Sequence, residues 1–358
     1  MKTVLIYDHF IAKGGAEKVS FQIANAIDNC QLETAYADKT LFAANLKKGD
    51  LTSFDFDFFK KLFPTFSLLW FYLFLYKIAD PKENLLLTGV FSPLVLLKNK
   101  VANSVVYFHT FPSFINLSWR QLRANYSLFG ATIFKLFTPC FIFLLKKSLK
   151  RAQVVFSNSQ SVQQRFQKLG INSQVLYPPV DLSGLTDSQT GDYFLSTSRL
   201  EHNKRVAFIL EAFSRLPNLI LHLVGGGLLF DQLKKEYQHC PNIKFLGWLE
   251  PQAVKEQYNH CKALICIPEN EYFGLAPVEA MAAGKFVIGV AEGGLLETVT
   301  NNKLGTLLPA PIDIDCFIET IKKVHNDKKM SDNASFRQKH AIQFAESQFI
   351  NELIKYIK

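Results

Sequence analysis

The sequence lacks most of the signals that mark secreted, metal-binding or repeat proteins. Its six cysteines form no C-x-x-C pair, so neither a zinc site nor a disulfide framework is expected. We expect the reduced thiols of a cytoplasmic protein. The first residues enter a predicted strand at once, and no signal peptide is expected before them. Neither a repeat of solenoid length nor a low-complexity tract is present.

Long apolar runs are also scarce. Residues 66–76 form an apolar run of 11 residues, whereas a helix needs about 20 residues to cross a bilayer. The run at residues 127–145 is longer, but Lys135 and Pro139 interrupt it. We therefore predict no transmembrane helix. Two interpretations stay open for both runs: buried helices of a domain core, or a membrane-facing edge with aromatic and basic residues at the lipid interface.

Acidic residues are missing from one long tract. No Asp or Glu occurs from residue 84 to residue 180, where 11 lysines and arginines fall. Residues 1–180 hold 21 Lys and Arg against 10 Asp and Glu, and the remainder of the chain holds 19 against 21. A basic tract rich in Phe and Leu predicts a surface for anionic lipid or for a polyanionic acceptor. The basic cluster at residues 146–151 favours the membrane.

The length of 358 residues suits two domains, and the composition of 48% hydrophobic and 20% charged residues is that of a globular protein. Two prolines at residues 178–179, followed by a polar run at 183–191, predict an interdomain linker. Apolar runs that alternate with helical periodicity on both sides of this linker predict α/β domains with parallel sheets.

The first domain opens with a predicted strand, a loop that holds Gly14 and Gly15, and a helix in which Val19, Ile23 and Ile27 recur every four residues. No G-x-G-x-x-G follows the strand, so a dehydrogenase-type dinucleotide site is weakly supported. A later strand, residues 105–108, ends at His109. The carboxyl ends of parallel strands are where open α/β sheets bind ligands, which makes His109 a candidate site residue.

The second domain places cations and glycines after its first two predicted strands. Arg199 and Lys204 follow the strand at 194–196, where they can hold a diphosphate. Gly225 and Gly226 follow the strand at 219–224, where missing side chains let the backbone approach a ligand.

Two glutamates flank a predicted helix start farther along the chain. A buried strand at residues 263–267 is followed by Glu271 in a loop, and Pro277 suits the first position of a helix. Glu279, eight residues after Glu271, then falls in the first helical turn. A helix start of this kind attracts anions through its free N–H groups.

The segment NEYFGLAPVEAMAAG, with the strand at 286–290 and Gly293-Gly294-x-x-Glu297 after it, closely resembles the signature of the retaining nucleotide-sugar glycosyltransferases of family 4. The resemblance implies the GT-B fold, in which two Rossmann-like domains face each other across a cleft and a C-terminal helix returns to the first domain. It implies an acceptor-binding N-terminal domain at residues 1–180, a donor-binding domain at 181–343, and a returning helix at 344–358. The basic, apolar tract described above predicts that the N-terminal domain faces the membrane.

The resemblance also implies roles for individual residues. Glu271 contacts the transferred sugar, and Glu279 binds the ribose hydroxyls. Amides of the loop hold the sugar hydroxyls and the donor phosphate, and by position these belong to Phe273, Gly274 and Leu275. The segment YFHTFPSF resembles a family segment whose histidine approaches the sugar from the opposite domain, which makes His109 catalytic. Arg199 and Lys204 match the diphosphate cations, and GGAEKV places Gly14 and Gly15 at the donor phosphate or the acceptor.

Within the family, the motifs look most like those of mannosyltransferases that use GDP-mannose on lipid-linked glycans. Phe111 before Pro112, and Lys285 where a nearby proline is commoner, are departures that leave UDP-glucose or UDP-N-acetylglucosamine open as donors. A nucleotide-sugar epimerase or a non-catalytic glycan-binding subunit are further alternatives.

We expect a donor and a glycan acceptor as partners, an anionic membrane surface at the cytoplasmic face, and no nucleic acid. We expect neither a cofactor nor a metal ion. The triplets Asp55-Phe56-Asp57 and Asp313-Ile314-Asp315 fit the D-x-D pattern of metal-using transferases, but neither stands beside a donor motif.

Overall fold

A computed structural model of the chain describes residues 2–11, 14–38, 51–56, 64–99, 101, 103–125, 127–188, 191–327 and 329–357. The chain divides into two compact units, Met1–Pro179 with Ser347–Lys358, and Val180–Glu346. The chain returns to the first unit at residue 347, three residues later than the sequence suggested.

The first unit is built on a parallel sheet. Seven strands of this sheet lie in the described ranges, in the order β3-β2-β1-β4-β5-β6-β7. The strands are β1 (Thr3–Tyr7), β2 (Cys30–Thr34), β3 (Leu51–Ser53), β4 (Asn84–Leu87), β5 (Asn103–Phe108), β6 (Val154–Ser157) and β7 (Gln174–Val175). Residues of β4 and most of β5 are fully buried, since helical crossovers cover both faces of a parallel sheet.

Helices and short helical segments connect these strands. They are α1 (Gly15–Ala26), α2 (Pro64–Trp70) with a π-helical continuation (Phe71–Leu75), a 3₁₀ segment (Ser92–Leu97), a second 3₁₀ segment (Ser113–Asn116), α3 (Trp119–Asn125), α4 (Leu128–Leu149) and α5 (Gln160–Lys168).

Helix α4 corrects one prediction. Lys135 and Pro139 were expected to interrupt this run, yet it forms one helix of 22 residues, with Pro139 inside it. Because a buried face that includes Phe134, Phe137 and Phe141 packs on the unit, the packing outweighs the hydrogen bond that a proline removes. Within the described ranges, α4 is the one helix whose length and composition would suffice to cross a membrane.

The second unit contains another parallel sheet, which has six strands in the part of the chain that the structure describes. Their order is β10-β9-β8-β11-β12-β13. The strands are β8 (Tyr193–Thr197), β9 (Ile220–Val224), β10 (Ile243–Gly247), β11 (Ala263–Cys266), β12 (Phe286–Val290) and β13 (Gly305–Leu308). The two sheets confirm the prediction of two Rossmann-like domains.

The helices of the second unit alternate with these strands. They are a 3₁₀ turn (His202–Lys204), α6 (Val206–Ser214), α7 (Phe230–Glu236), α8 (Pro251–His260), α9 (Leu275–Ala282), α10 (Leu295–Thr298), α11 (Ile314–Asn326), a 3₁₀ segment (Met330–Asn333) and α12 (Ala334–Ile342). The core between sheet and helices is apolar, with Phe194, Leu221, Ile288 and Phe317 fully buried.

The last helix, α13 (Glu346–Leu353), returns to the first unit. Phe349 packs edge-on against Tyr107 of β5, with ring centroids 5.2 Å apart. Tyr356, beyond the helix, packs in the same way against Phe156 of β6 at 5.4 Å. The returning C-terminal helix is therefore confirmed, although it starts at residue 346 and not at 344.

Candidate donor site at the edge of the second sheet

The order of strands in the second unit creates a switch point between β8 and β11. From β8 the chain proceeds to β9 and β10 on one side, and β11 begins the other side. The loops that follow β8 and β11 therefore diverge at the carboxyl edge of the sheet and leave a crevice, the usual ligand site of such sheets. Arg199 and Lys204 follow β8, and Glu271 follows β11.

Lys204 and Glu271 are in direct contact at this switch point. The Nζ atom of Lys204 donates to Oε2 of Glu271 over 2.7 Å, and both side chains are partly buried. Arg199 forms an ion pair with Glu201 at 2.9 Å and is more exposed. The structure thus brings together one predicted cation and the predicted sugar-binding carboxylate, although 67 residues separate them.

Arg205, which the motifs did not single out, holds the loop after β11 in place. Its guanidinium donates to the carbonyl oxygen of Ile267 at 3.2 Å and to Glu292 at 2.9 Å. The second oxygen of Glu292 accepts from the backbone N–H of Asn270 at 3.1 Å. These bonds fix both ends of the segment that immediately precedes Glu271.

Gly293 and Gly294 pack against the backbone of the same loop. A Cβ atom on Gly293 would lie 2.1 Å from the carbonyl oxygen of Glu271, and one on Gly294 would lie 2.3 Å from the Cα atom of Phe273. The N–H of Gly294 donates to the carbonyl oxygen of Glu271 at 2.8 Å. The loop can hold Glu271 in this position only because residues 293 and 294 have no side chains.

Helix α9 begins two residues earlier than predicted. Gly274 is its N-cap with φ +93°, a conformation that favours glycine, and Leu275 is the first helical residue. Pro277 is therefore third in the helix, where it removes an N–H that has no helical partner. Glu279 lies beyond the first turn, so the prediction of a first-turn acid was wrong. Phe273 is buried with its ring 5.3 Å from that of Phe344, and its side chain belongs to the core.

Glu279 instead belongs to a hydrogen-bond network across the sheet edge. The hydroxyl of Tyr258 donates to Oε2 of Glu279 at 2.9 Å, and it lies 2.6 Å from Oγ1 of Thr197, the last residue of β8. Burial, and then the nearby carboxylate of Glu279, raise the pKa of Tyr258 well above its usual value. Tyr258 therefore keeps its proton, and its hydroxyl donates a hydrogen bond to Glu279. Sequence motifs gave no signal for Tyr258 or Thr197.

The glycines after β9 allow close packing. A Cβ atom on Gly225, whose φ is +122°, would lie 2.1 Å from the carbonyl oxygen of Ser198, beside Arg199. A Cβ on Gly226 would lie 2.5 Å from Nε1 of Trp248. Trp248 follows β10 and is largely exposed, so the loops after β8, β9 and β10 meet at this edge of the sheet.

The other predicted residues lie in the first unit. Gly14 is the N-cap of α1 with an extended backbone, and Gly15 is its first residue. Neither glycine has a positive φ, so the conformation of the chain does not demand glycine at either position.

His109 is buried at the carboxyl end of β5. Its Nε2 atom lies 3.2 Å from Oγ of Ser20 in α1, and Asn158 donates to its carbonyl oxygen at 2.5 Å. Burial lowers the pKa of His109 to about 3. The imidazole is therefore neutral near pH 7 and interacts by hydrogen bonding, not as a cation.

Asp8, at the carboxyl end of β1, is a buried carboxylate that the sequence did not single out. It accepts from the backbone N–H groups of Val90, Phe91 and Ser92 at 2.6–3.1 Å. Burial nevertheless raises its pKa to about 6. These bonds cap the 3₁₀ segment that follows β4, so we assign Asp8 a structural role.

The structure describes both aspartates of the second D-x-D triplet, but only one aspartate of the first. Asp313 caps helix α11 by accepting from the N–H of Cys316 at 2.8 Å, and Asp315 lies 3.8 Å from Arg215. In the first triplet Asp55 accepts from Ser53 at 2.6 Å, while Asp57 lies outside the described residues. Among the residues that the structure describes, no three His, Cys, Asp or Glu side chains cluster as a metal site would require.

Comparison with known proteins finds a family model that matches the second unit and several glycosyltransferases that are similar to parts of the chain. Residues 185–340 fit the family model described as glycosyl transferases group 1. The alpha-1,3/1,6-mannosyltransferase ALG2 of Dictyostelium discoideum is 30% identical over 190 residues, 46% of this chain and 45% of that protein. The O-antigen biosynthesis glycosyltransferase WbnH of Escherichia coli is 32% identical over 112 residues, 31% of this chain and 32% of that protein. The chain thus spans half the length of these curated relatives or less.

Among solved structures, Alr3699/HepE of Anabaena in complex with UDP-glucose superimposes with a TM-score of 0.75. The superposition covers 99% of both chains at 19% sequence identity, a level that establishes the fold alone. Together with the two parallel-sheet units, the superposition shows the GT-B fold, and residues 185–340 of the second unit match the group 1 glycosyl transferase model.

Proposed function

We propose that this protein is a retaining glycosyltransferase that moves a hexose from a nucleoside diphosphate sugar to a carbohydrate hydroxyl. The single observation that carries the proposal is the contact of Lys204 with Glu271 at the switch point of the second sheet. A cation for the departing diphosphate and a carboxylate for the sugar hydroxyls are the groups that such a donor needs, one beside the other.

In the proposed reaction the bond between the anomeric carbon and the diphosphate oxygen breaks first. Arg199, Lys204 and the free N–H groups at the start of α9 take up the growing negative charge of the leaving group. The backbone amides of Phe273, Gly274 and Leu275 and the Glu271 carboxylate orient the donor. The acceptor oxygen attacks from the face that the diphosphate leaves, and its proton passes to the departing phosphate oxygen.

Other residues hold the nucleotide and the sugar in this proposal. Glu279, kept in place by Tyr258, accepts hydrogen bonds from the ribose hydroxyls. Gly225 and Gly226 allow the backbone to approach the donor. In the first unit, Gly14 and Gly15 stay donor-binding residues and His109 a catalytic residue on the family resemblance. The neutral state of His109 suits hydrogen bonding to a sugar hydroxyl. The proposed reaction uses no metal ion.

The donor is proposed to be GDP-mannose, and the acceptor a lipid-linked or polysaccharide glycan. The relatives named alpha-1,3/1,6-mannosyltransferase support mannose, and the O-antigen relative supports a polysaccharide precursor. The fold neighbour that binds UDP-glucose keeps a UDP-sugar as the second candidate donor. We further propose that the protein works as a peripheral protein at the cytoplasmic face of a membrane.

The test is a transfer assay with purified protein. GDP-mannose, UDP-glucose and UDP-N-acetylglucosamine are each incubated with a panel of glycan acceptors, and the product is analysed by NMR. The proposal predicts release of nucleoside diphosphate that depends on the acceptor, together with a product of unchanged anomeric configuration. Conversion of the donor sugar without an acceptor would identify an epimerase. Binding of donor without any turnover would identify a non-catalytic subunit.

A further inference from the structure

Helix α4 presents two different apolar faces. One face packs on the first unit: Phe141 lies 5.3 Å from Phe91 and 5.2 Å from Phe114, and Phe137 lies 4.6 Å from Phe66, measured between ring centroids. A helix held in this way cannot cross a bilayer without unpacking these rings. Helix α4 therefore lies along the surface of the first unit over its whole length.

The opposite face of α4 is exposed although it is apolar. Phe129, Leu136 and Phe143 have exposed fractions of 73%, 72% and 64%. They recur every seven residues, which is about two helical turns, and so form one stripe along the helix. Exposed side chains of this size are ordinary when they occur singly, but a continuous row of them marks a binding surface.

Exposed aromatic residues also occur on the elements that pack beside α4. The ring of Phe66 contacts Phe137, so α2 lies beside α4. Trp70, at the end of α2, and Phe74, in its π-helical continuation, are more than half exposed and lie 4.6 Å apart. Trp119 is also exposed, and the ammonium of Lys135 lies 5.4 Å from its ring centroid. Tryptophan beside lysine is typical of residues at a membrane interface.

The charges around this surface have one sign. Lys147 and Lys150 are exposed at the C-terminal end of α4, where they also complement the helix dipole. The surrounding sequence, residues 84–180, contains 11 lysines and arginines and no acidic residue. The dipole explains one or two of these cations, but it does not explain an acid-free tract of this length. An anionic lipid surface matches both the apolar stripe and its basic surroundings.

We propose that the stripe of Phe129, Leu136 and Phe143 is a membrane-docking surface. Helix α4 lies parallel to an anionic bilayer, the three side chains and the nearby Trp70 enter the interface, and Lys147 and Lys150 contact lipid phosphates. This inference specifies the membrane association included in the proposed function, but it does not depend on the transfer reaction. Docking would bring the first unit to the surface where a lipid-linked acceptor resides.

The test measures binding of the full-length protein to vesicles in the absence of donor and acceptor. Vesicles of phosphatidylcholine alone are compared with vesicles that contain phosphatidylglycerol, using flotation. We expect the wild-type protein to float with the anionic vesicles. The triple variant Phe129→Ser, Leu136→Ser, Phe143→Ser should bind at least about tenfold more weakly. Leu228→Ser is the matched control, because Leu228 of the second unit is 92% exposed and lies outside the stripe.

The charge contribution is tested separately. Lys147→Gln and Lys150→Gln should each weaken binding to anionic vesicles about fivefold, with little effect on neutral vesicles. In a Trp248→Phe background, tryptophan fluorescence reports only Trp70 and Trp119. Their emission should shift to the blue on addition of anionic vesicles. If the triple variant does not fold, Phe143→Ser alone provides the comparison.

Three outcomes would overturn the proposal. The first is equal binding of the folded stripe variant and the wild-type protein. The second is a dimer of the wild-type protein that dissociates in the triple variant, which would show that the stripe joins two copies of the chain. The third is binding to a partner protein that removes all affinity for vesicles. Transfer to a water-soluble acceptor should be unchanged in the stripe variants, so failure of docking and failure of the proposed reaction are distinguishable.

Discussion

The ammonium group of Lys204 lies 2.7 Å from the carboxylate of Glu271, at the crevice between the first strand of the second sheet and the strand that begins its other half. In the absence of donor the two groups form an ion pair with each other. We propose that a bound sugar diphosphate engages both groups, with phosphate oxygens at Lys204 and sugar hydroxyls at Glu271.

The first prediction concerns this pair. Glu271→Ala and Lys204→Ala should each lower turnover at least ~10²-fold, the scale of losing one oriented charge-stabilising group. Stability should change little, because a partly exposed ion pair contributes about 0–1 kcal/mol. Steady-state kinetics and thermal unfolding measure the two quantities. Glu211→Ala, which removes an exposed ion pair with Arg215, is the control. Near wild-type turnover in either site variant removes that residue from the mechanism.

The second prediction concerns Gly293, whose missing side chain makes room for the carbonyl of Glu271. Gly293→Ala should displace that loop, reduce turnover about 10²-fold and destabilise the protein by about 1–3 kcal/mol. Gly184→Ala is a matched control: its φ is +69°, close to the +57° of Gly293, but the nearest atom to its Cβ would be 3.6 Å away. It should lose about 1–2 kcal/mol of stability and keep its turnover. Equal turnover in the two variants would contradict the role of Gly293.

The third prediction separates positioning from chemistry. Tyr258→Phe removes the hydroxyl that donates to Glu279 and should raise the donor KM about 5–10-fold, the scale of one weakened charge-assisted hydrogen bond, with kcat nearly unchanged. Tyr193→Phe removes a hydroxyl that donates to the carbonyl oxygen of Gln257 in the same unit and should leave KM unchanged. A fall in kcat at constant KM would assign Tyr258 to a different step.

The fourth prediction is a pH dependence of stability. Burial holds the pKa of His109 at about 3, below its ordinary value of 6.5, so the folded state binds fewer protons than the unfolded state between these values. The contribution of His109 to stability is present above pH 6.5 and is lost as pH falls towards 3. His109→Gln should flatten this part of the curve of unfolding free energy against pH. Parallel curves for wild type and His109→Gln would contradict the burial of a neutral imidazole.

Secondary structure was predictable wherever apolar runs were bounded by glycine or proline. Strand β12 has the predicted bounds of residues 286–290. Strand β2, with the sequence CQLET, has too mixed a pattern to be distinguished from a loop, and only its neighbours in the sheet define it. Helix α4 continues through Pro139 because its buried face packs on the first unit, and the sequence does not show that packing. Helix α9 started early because Gly274 adopts a positive φ, which sequence alone cannot assign.

Each predicted site residue came from a motif whose residues are neighbours in the sequence. The groups that hold these residues in place lie far from them in the sequence. Ser20 and His109 are 89 residues apart, and Arg205 and Glu292 are 87 residues apart. Neither pair has a local signature, since any hydroxyl or carboxylate elsewhere in the chain could serve. Only the order of the strands brings each pair together, so the supporting network could be found only in the structure.

The most direct test of the account is nucleotide binding at Arg199 and Lys204, measured as a thermal shift with GDP, UDP, ADP, their sugars and the matching nucleosides. A ligand that binds only the folded state raises the unfolding temperature. We predict that one nucleoside diphosphate and its sugar stabilise the wild-type protein, that the nucleoside does not, and that the double variant Arg199→Ala, Lys204→Ala loses the shift. An undiminished shift in the double variant, or no shift with any diphosphate, would contradict the proposed donor site.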